Sequence, residues 1–240
     1  MIKTISKLSF LFLVFFNFTT WAQIAEPKFL LDSINTKLNK VNDYSADVKI
    51  KLNVSFIKIP VKEAKVFYKK PDKIKMKSTG FALLPKKGVN FSLTTLLNKS
   101  YTSVWIKKEL VNGANCDVIK IIPLVEDPDI LLATVWIDRK NQLLLKVGAN
   151  TKSNGSFLID FIYNLKSNVF DLPEKLNFTF EVNKMSLPMG ITGDFDSDKA
   201  PEKGNKPQKA TLSLFYSNYL VNKGIPDSFF AEETKSSKKK

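Results

Sequence analysis

Tyr44-Ser45-Ala46-Asp47-Val48-Lys49-Ile50-Lys51-Leu52-Asn53-Val54-Ser55-Phe56 alternates apolar and polar residues over thirteen positions. Tyr44, Ala46, Val48, Ile50, Leu52, Val54 and Phe56 share one face, and the serines, lysines, Asp47 and Asn53 share the other. Period two means a β-strand with one dry face and one wet face. At about 3.4 Å per residue this strand would run about 44 Å, far beyond the common length of five or six residues. A strand that long suits a strongly curved sheet or a barrel wall.

Working outward, Glu26 to Leu38 reads as a helix. Phe29, Leu30, Ile34 and Leu38 keep the helical period, and Pro27 suits a first turn. Downstream, residues 61–70 form a strand with Ala64, Val66 and Tyr68 on one face. Pro71-Asp72 turns the chain, and 73–78 alternates Ile74 and Met76 with lysines. Residues 80–98 are irregular, with a short helix over 92–97. Strands follow at 101–110, 116–124, 131–138, 143–149 and 156–164, with turn signals at Asn112-Gly113 and Asn154-Gly155. The last pair sets Leu176, Phe178, Phe180 and Val182 beside Ala210, Leu212, Leu214 and Tyr216. The stretch between them, 193–208, has loop composition. Residues 225–230 are expected to dock as one short turn.

One helix followed by consecutive strands excludes a parallel α/β design. The expected fold is mainly β with a few helices (α+β): a curved antiparallel sheet, or an incomplete β-barrel closed by helices, in a single domain over residues 23–231.

The chain ends read differently. Lys3 and Lys7 precede the apolar run Leu8 to Phe16, and Ala22 stands at a plausible cut. Residues 1–22 are therefore expected to be a cleaved signal peptide, which predicts a periplasmic location. Residues 232–240 are expected to be a disordered basic tail.

Composition removes several chemistries. The chain holds 37 Lys and Arg against 23 Asp and Glu, no histidine and one cysteine. Without histidine there is no Ser-His-Asp or Cys-His machinery, and the usual zinc ligands are missing. Cys116 cannot form an intrachain disulfide and is expected to be a buried, inert thiol. Arg139 is the sole arginine, and export argues against nucleic acid as a partner. The loop Asp194-Phe195-Asp196-Ser197-Asp198 begins like a calcium loop. Lys199 then replaces the turn glycine and Asn205 the bidentate glutamate, so no metal and no cofactor is expected. Glu126, Asp127 and Asp129 are the carboxylates a hydrolase would need, but the proline between the aspartates points to a turn. The lysine pairs 69–70, 86–87 and 107–108, with Lys238-Lys239-Lys240, suit solvated edges or docking to an acidic or membrane surface.

Three features then resemble one family: the helix Phe29 to Val41, the stretch Val41-Asn42-Asp43-Tyr44-Ser45-Ala46-Asp47, and Val66-Phe67-Tyr68-Lys69-Lys70-Pro71-Asp72-Lys73-Ile74-Lys75-Met76. They resemble the LolA-like carriers and sorting proteins of outer-membrane lipoproteins, as does Val135-Trp136-Ile137-Asp138. The resemblance is strongest over residues 26–80. It implies an incomplete β-barrel whose apolar cavity accepts acyl chains, and an inner-membrane lipoprotein-release transporter as partner. It also implies a lid latch at Lys70, where the family usually carries arginine.

Together these readings predict a monomeric, non-catalytic periplasmic binding or carrier protein for lipid or lipoprotein acyl chains, meeting membrane surfaces transiently. Val48, Ile50, Leu52, Val54, Val66, Tyr68, Phe178 and Phe180 are expected to face inward as cavity or core. A regulatory or lipid-sensing module on the same fold is the alternative, and a carboxylate hydrolase is a third.

Overall fold

The computed structural model describes residues 26–54, 57–58, 60–78, 96–125, 130–152, 155–164, 170–181 and 209–231. The signal-peptide stretch, the carboxylates 126–129, Lys86-Lys87, the loop 193–208 and the tail 232–240 lie outside the described residues. Helix α1 (Pro27–Asn39) leads into β1 (Asp43–Val54), which β2 (Ile57–Lys58) briefly pairs. Then come β3 (Lys62–Lys69), β4 (Lys73–Lys77), β5 (Tyr101–Val111), β6 (Ala114–Pro123), β7 (Ile130–Asp138), β8 (Leu143–Thr151) and β9 (Gly155–Ile162). The last two strands are β10 (Lys175–Glu181) and β11 (Lys209–Val221), followed by a one-turn 3-10 helix, Asp227–Phe230.

All eleven strands form one antiparallel sheet in the order β4-β3-β1-β11-β10-β9-β8-β7-β6-β5, with β2 beside β1. The end strands β4 and β5 do not pair, so the sheet is an unclosed barrel. The predicted helix and strands appear within a few residues of their expected bounds. Asn112 and Gly113 both take positive φ in the β5–β6 hairpin, the backbone that a two-residue turn of this hand needs. Leu96 and Leu97 are helical, and the rest of the expected helix over 92–97 is outside the described residues.

The last strand runs further than its alternation. Alternation marks the last strand only to about residue 217, yet β11 continues to Val221. Between Ser45/Leu220 and Asp47/Ser217 the register slips by one residue. Asn218 absorbs it at φ 54° and donates from Nδ2 to Asp47 Oδ2 at 2.8 Å. This bulge puts both Tyr216 and Tyr219 on the inner face and bends the strand. Consecutive strands pair from β5 through β11, and β11 then lies against β1, from the opposite end of the sequence.

The inner face carries two buried patches. One half lies under α1. Leu30, Leu31 and Ile34 pack with Leu96 and Leu97 onto Ile119 and Ile121 of β6, Ala133, Val135 and Ile137 of β7, and Leu144 and Val147 of β8. The other half lies on β3, β1, β11, β10 and β9. Phe161 touches both.

Candidate functional site

The second patch is the candidate site. Ala46, Val48, Ile50, Leu52 and Val54 of β1 form its floor. Val66, Ile159, Phe178, Ala210, Leu212 and Leu214 extend it across four further strands. None of these residues is charged, and all are buried. Alternation dictates this: β1 residues at even positions face in, and the register pairs Ile50 with Leu214 and Leu52 with Leu212. Whereas the first patch has a helix packed on it, every described member of the second belongs to the sheet itself.

Of the residues expected to face inward, Val48, Ile50, Leu52, Val54, Val66 and Phe178 are buried in this patch, and Phe180 is half-buried against it. Tyr68 is on the same face but belongs to an aromatic end. Its ring stacks on Tyr44 at 5.1 Å, Tyr44 meets Tyr219 edge-on at 5.4 Å, and Tyr219 stacks on Tyr216 at 5.8 Å. Tyr68 donates its hydroxyl to the Pro71 carbonyl and Tyr219 to the Pro173 carbonyl. Burial pushes the phenols of Tyr44, Tyr216 and Tyr219 well above their ordinary range, so all three stay neutral donors. The inner face therefore grades from purely apolar to apolar with hydroxyls. Sequence alternation found the apolar part. The tyrosine cluster depends on the bulge at Asn218, which alternation hides.

Beside this end, β11 outruns β10 and leaves an open cleft of about 540 Å³ between residues 216–221 and the segment 170–174. Phe170, Leu172 and Tyr219 supply its apolar walls, and Glu174 and Lys223 its charges.

The helix is tethered at its C-terminal end. Lys37 donates to the Asn141 carbonyl at 2.7 Å and pairs with Asp171 at 3.1 Å. The latch candidate Lys70 donates to the carbonyl of Asn39, the last helical residue, at 3.4 Å. A cation there suits the negative end of the helix dipole. Asn222 accepts from the Asn42 backbone and donates to the Lys40 carbonyl, while the buried Asp43 accepts from the backbone of Lys223 and Gly224. These bonds fix the helix–β1 junction to the end of β11.

The single arginine is spent elsewhere. Asp117, its side chain 1 % exposed, takes a two-pronged pair from Arg139 at 2.7 and 2.9 Å and a third bond from Trp105 Nε1 at 2.9 Å. Burial alone would raise this carboxyl, but the Arg139 and Trp105 bonds outweigh it and hold Asp117 below the usual range. Cys116 is buried, and burial together with Asp138, Asp117 and Glu109 pushes its thiol up to about 11, the opposite of activation. No cluster that could hold a metal ion occurs among the described residues.

No protein-family model matches the sequence, and no curated protein sequence matches it. Solved structures do. A domain assigned to outer-membrane lipoprotein sorting, from Vibrio parahaemolyticus, superposes with a TM-score of 0.53 at 13% identity, covering 83% of this chain and 95% of that one. A DUF1329 family protein from Desulfovibrio piger gives 0.53 at 12% identity, covering 85% and 96%. A LolA superfamily protein from Nitrosomonas europaea gives 0.53 at 11% identity, covering 84% and 97%. The fold is LolA-like.

Proposed function

We propose that this chain is a periplasmic binding or carrier protein for lipid or lipoprotein acyl chains, acting without catalysis in the sorting of outer-membrane lipoproteins. The observation that carries the reading is the second inner patch: a broad, uncharged face of eleven buried apolar residues spread over five strands. The fold shared with a sorting-protein domain supports the same reading.

The physical requirement is simple. Each methylene moved out of water gains about 0.8 kcal/mol, so a chain of about sixteen carbons gains roughly 12 kcal/mol before ordering costs. A carrier must be able to open apolar area on that scale with no charge within it. The β1–β11 floor is buried in this structure and apolar throughout, so it would take the chain in place of whatever covers it, with Phe178 and Phe180 supplying broad aromatic contact. The acyl chain lies along this floor. Its ester or amide end meets the neutral phenols of Tyr44 and Tyr216, which can donate without adding charge. Lys70 serves as the latch of α1 by holding the Asn39 carbonyl. One lysine bond at 3.4 Å is a lighter fastening than a five-donor guanidinium would make.

Native mass spectrometry of the protein from a periplasmic extract tests the reading. A co-purifying lipid or acylated peptide, lost on delipidation, is the expected result. A clean apo mass, with no uptake of a fluorescent fatty acid, would overturn it.

A further inference from the structure

The outer face of β3 and β4 carries a lysine comb that the acyl-binding reading does not use. Lys65 and Lys69 on β3 and Lys73, Lys75 and Lys77 on β4 all point away from the inner patch. Register fixes this, since Lys65 faces Lys77, Phe67 faces Lys75 and Lys69 faces Lys73, while Val66 and Met76 face inward. The C-terminal turn docks among them. Phe229 packs on Phe67 at 4.6 Å, and the ammonium groups of Lys75 and Lys77 stand over the Phe229 ring at 5.2 and 4.6 Å. Asp227 pairs with Lys69 at 2.6 Å and Lys73 at 3.1 Å, and Glu63 on the same face pairs with Lys49 of β1. Anchoring the turn explains part of the comb. It does not explain its charge: Asp227 is the one carboxylate that pairs with any of the five lysines among the described residues. Asp47 and Asp43 of β1 lie across from Lys65 and Lys69 in the register, but their carboxylates are held by Asn218 and by the backbone of Lys223 and Gly224, and Lys65 and Lys77 form no ion pair among the described residues.

We propose that this face docks the protein on an anionic phospholipid surface. Three observations select a lipid surface over an acidic protein. Every cation is lysine, a point charge suited to a diffuse sheet of headgroups rather than to paired recognition of a carboxylate. The comb holds Phe229 beneath Lys75 and Lys77, with Phe230 edge-on against it, and such rings suit the headgroup boundary. β4 is also the edge of the sheet, with Ile74 exposed and Met76 packed on the inner patch. An edge with lysines outside and apolar side chains inside would set the bilayer beside the mouth of the acyl-binding face. The inference thus rests on the proposed function for its purpose, though not for its chemistry.

The test is co-sedimentation of the full chain with vesicles. Phosphatidylcholine vesicles containing about one third phosphatidylglycerol should bind it, and pure phosphatidylcholine vesicles should not. Binding should collapse at about 0.5 M salt, where the screening length falls to a few ångströms. The double variant Lys65→Ser with Lys77→Ser spares every lysine that pairs with Asp227. At about fivefold per lysine it should weaken binding by roughly 25-fold. Replacing the exposed Lys120 and Lys140 at the far end of the sheet should change little. Equal binding by the two double variants, salt-insensitive binding, or tighter retention on polyglutamate than on the vesicles would overturn the proposal. The last result would assign the face to an acidic protein. Fatty-acid uptake measured in parallel separates the two readings. Vesicle binding without uptake would sink the carrier and leave the docking face; uptake without vesicle binding would do the reverse.

Discussion

Replacing Arg139 by methionine should strip Asp117 of two of its three donors and leave a buried carboxylate holding Trp105 alone. Removing one partner of a fully buried pair costs about 3–5 kcal/mol. The Arg139 side chain is 39 % exposed, so water already screens part of the pair and the expected loss is about 2–3 kcal/mol. Urea unfolding at pH 7, followed by tryptophan fluorescence, should show a lower midpoint with an unchanged slope. The pH dependence carries the diagnosis. In the native protein the Asp117 carboxyl is held below its unfolded value. Its stabilisation is therefore present above the unfolded pKa and is lost as pH falls through the folded one. In the variant, burial without the guanidinium raises the carboxyl, so protonation relieves the strain. The deficit should shrink between pH 7 and about pH 4. Adding Asp117→Asn should restore more than half of it. A loss under about 0.5 kcal/mol, or a deficit that stays constant with pH, would refute the claim that the only arginine is a structural residue.

Other outcomes follow from the same geometry. Phe180→Asp, at a half-buried position, should abolish uptake of a fluorescent fatty acid while far-ultraviolet circular dichroism stays native; retained uptake in the folded variant would remove this residue from the acyl-binding face. Ile137→Ala, beneath α1, should cost about 2–5 kcal/mol in urea unfolding and leave acyl affinity within about twofold, separating the supporting half of the face from the binding half. Iodoacetamide at pH 8 should alkylate Cys116 about a hundredfold more slowly in the native protein than in urea, because its thiol sits near 11. Lys70→Met should change stability by less than about 1 kcal/mol yet speed release of bound acyl chain in stopped flow; unchanged release would discard the latch.

Much of this architecture is written in period-two alternation. The Tyr44–Phe56 stretch announces β1 and its dry face correctly because one side of the sheet is wetted and the other is not. Val66, Phe178 and Leu212 follow by the same rule. Bulges defeat it. At Asn218 the pattern resets by one residue, so the Tyr216–Tyr219 pair cannot be seen by counting. Residue 106 does the same in β5, between Trp105 and Lys107. Long-range partnership is equally silent. Nothing in the local pattern says that Arg139 will close on Asp117, that Phe229 will settle on Phe67, or that β11 will lie against β1. These depend on which strands become neighbours, and alternation fixes a strand's faces rather than its company.

That neighbourhood sets the order in which the molecule can assemble. The hairpins from β5 to β10 close locally and can form within microseconds of one another. The seam between β1 and β11 joins Tyr44 to Val221, so it cannot close until nearly the whole chain is available. Such distant pairing carries a heavy loop-closure penalty and slows folding. Until β11 arrives, the dry face of β1 has only β2 and β3 beside it. The β3–β1 hairpin is then the adhesive stretch of a half-made molecule, the place where a chaperone would be needed and where aggregation would start.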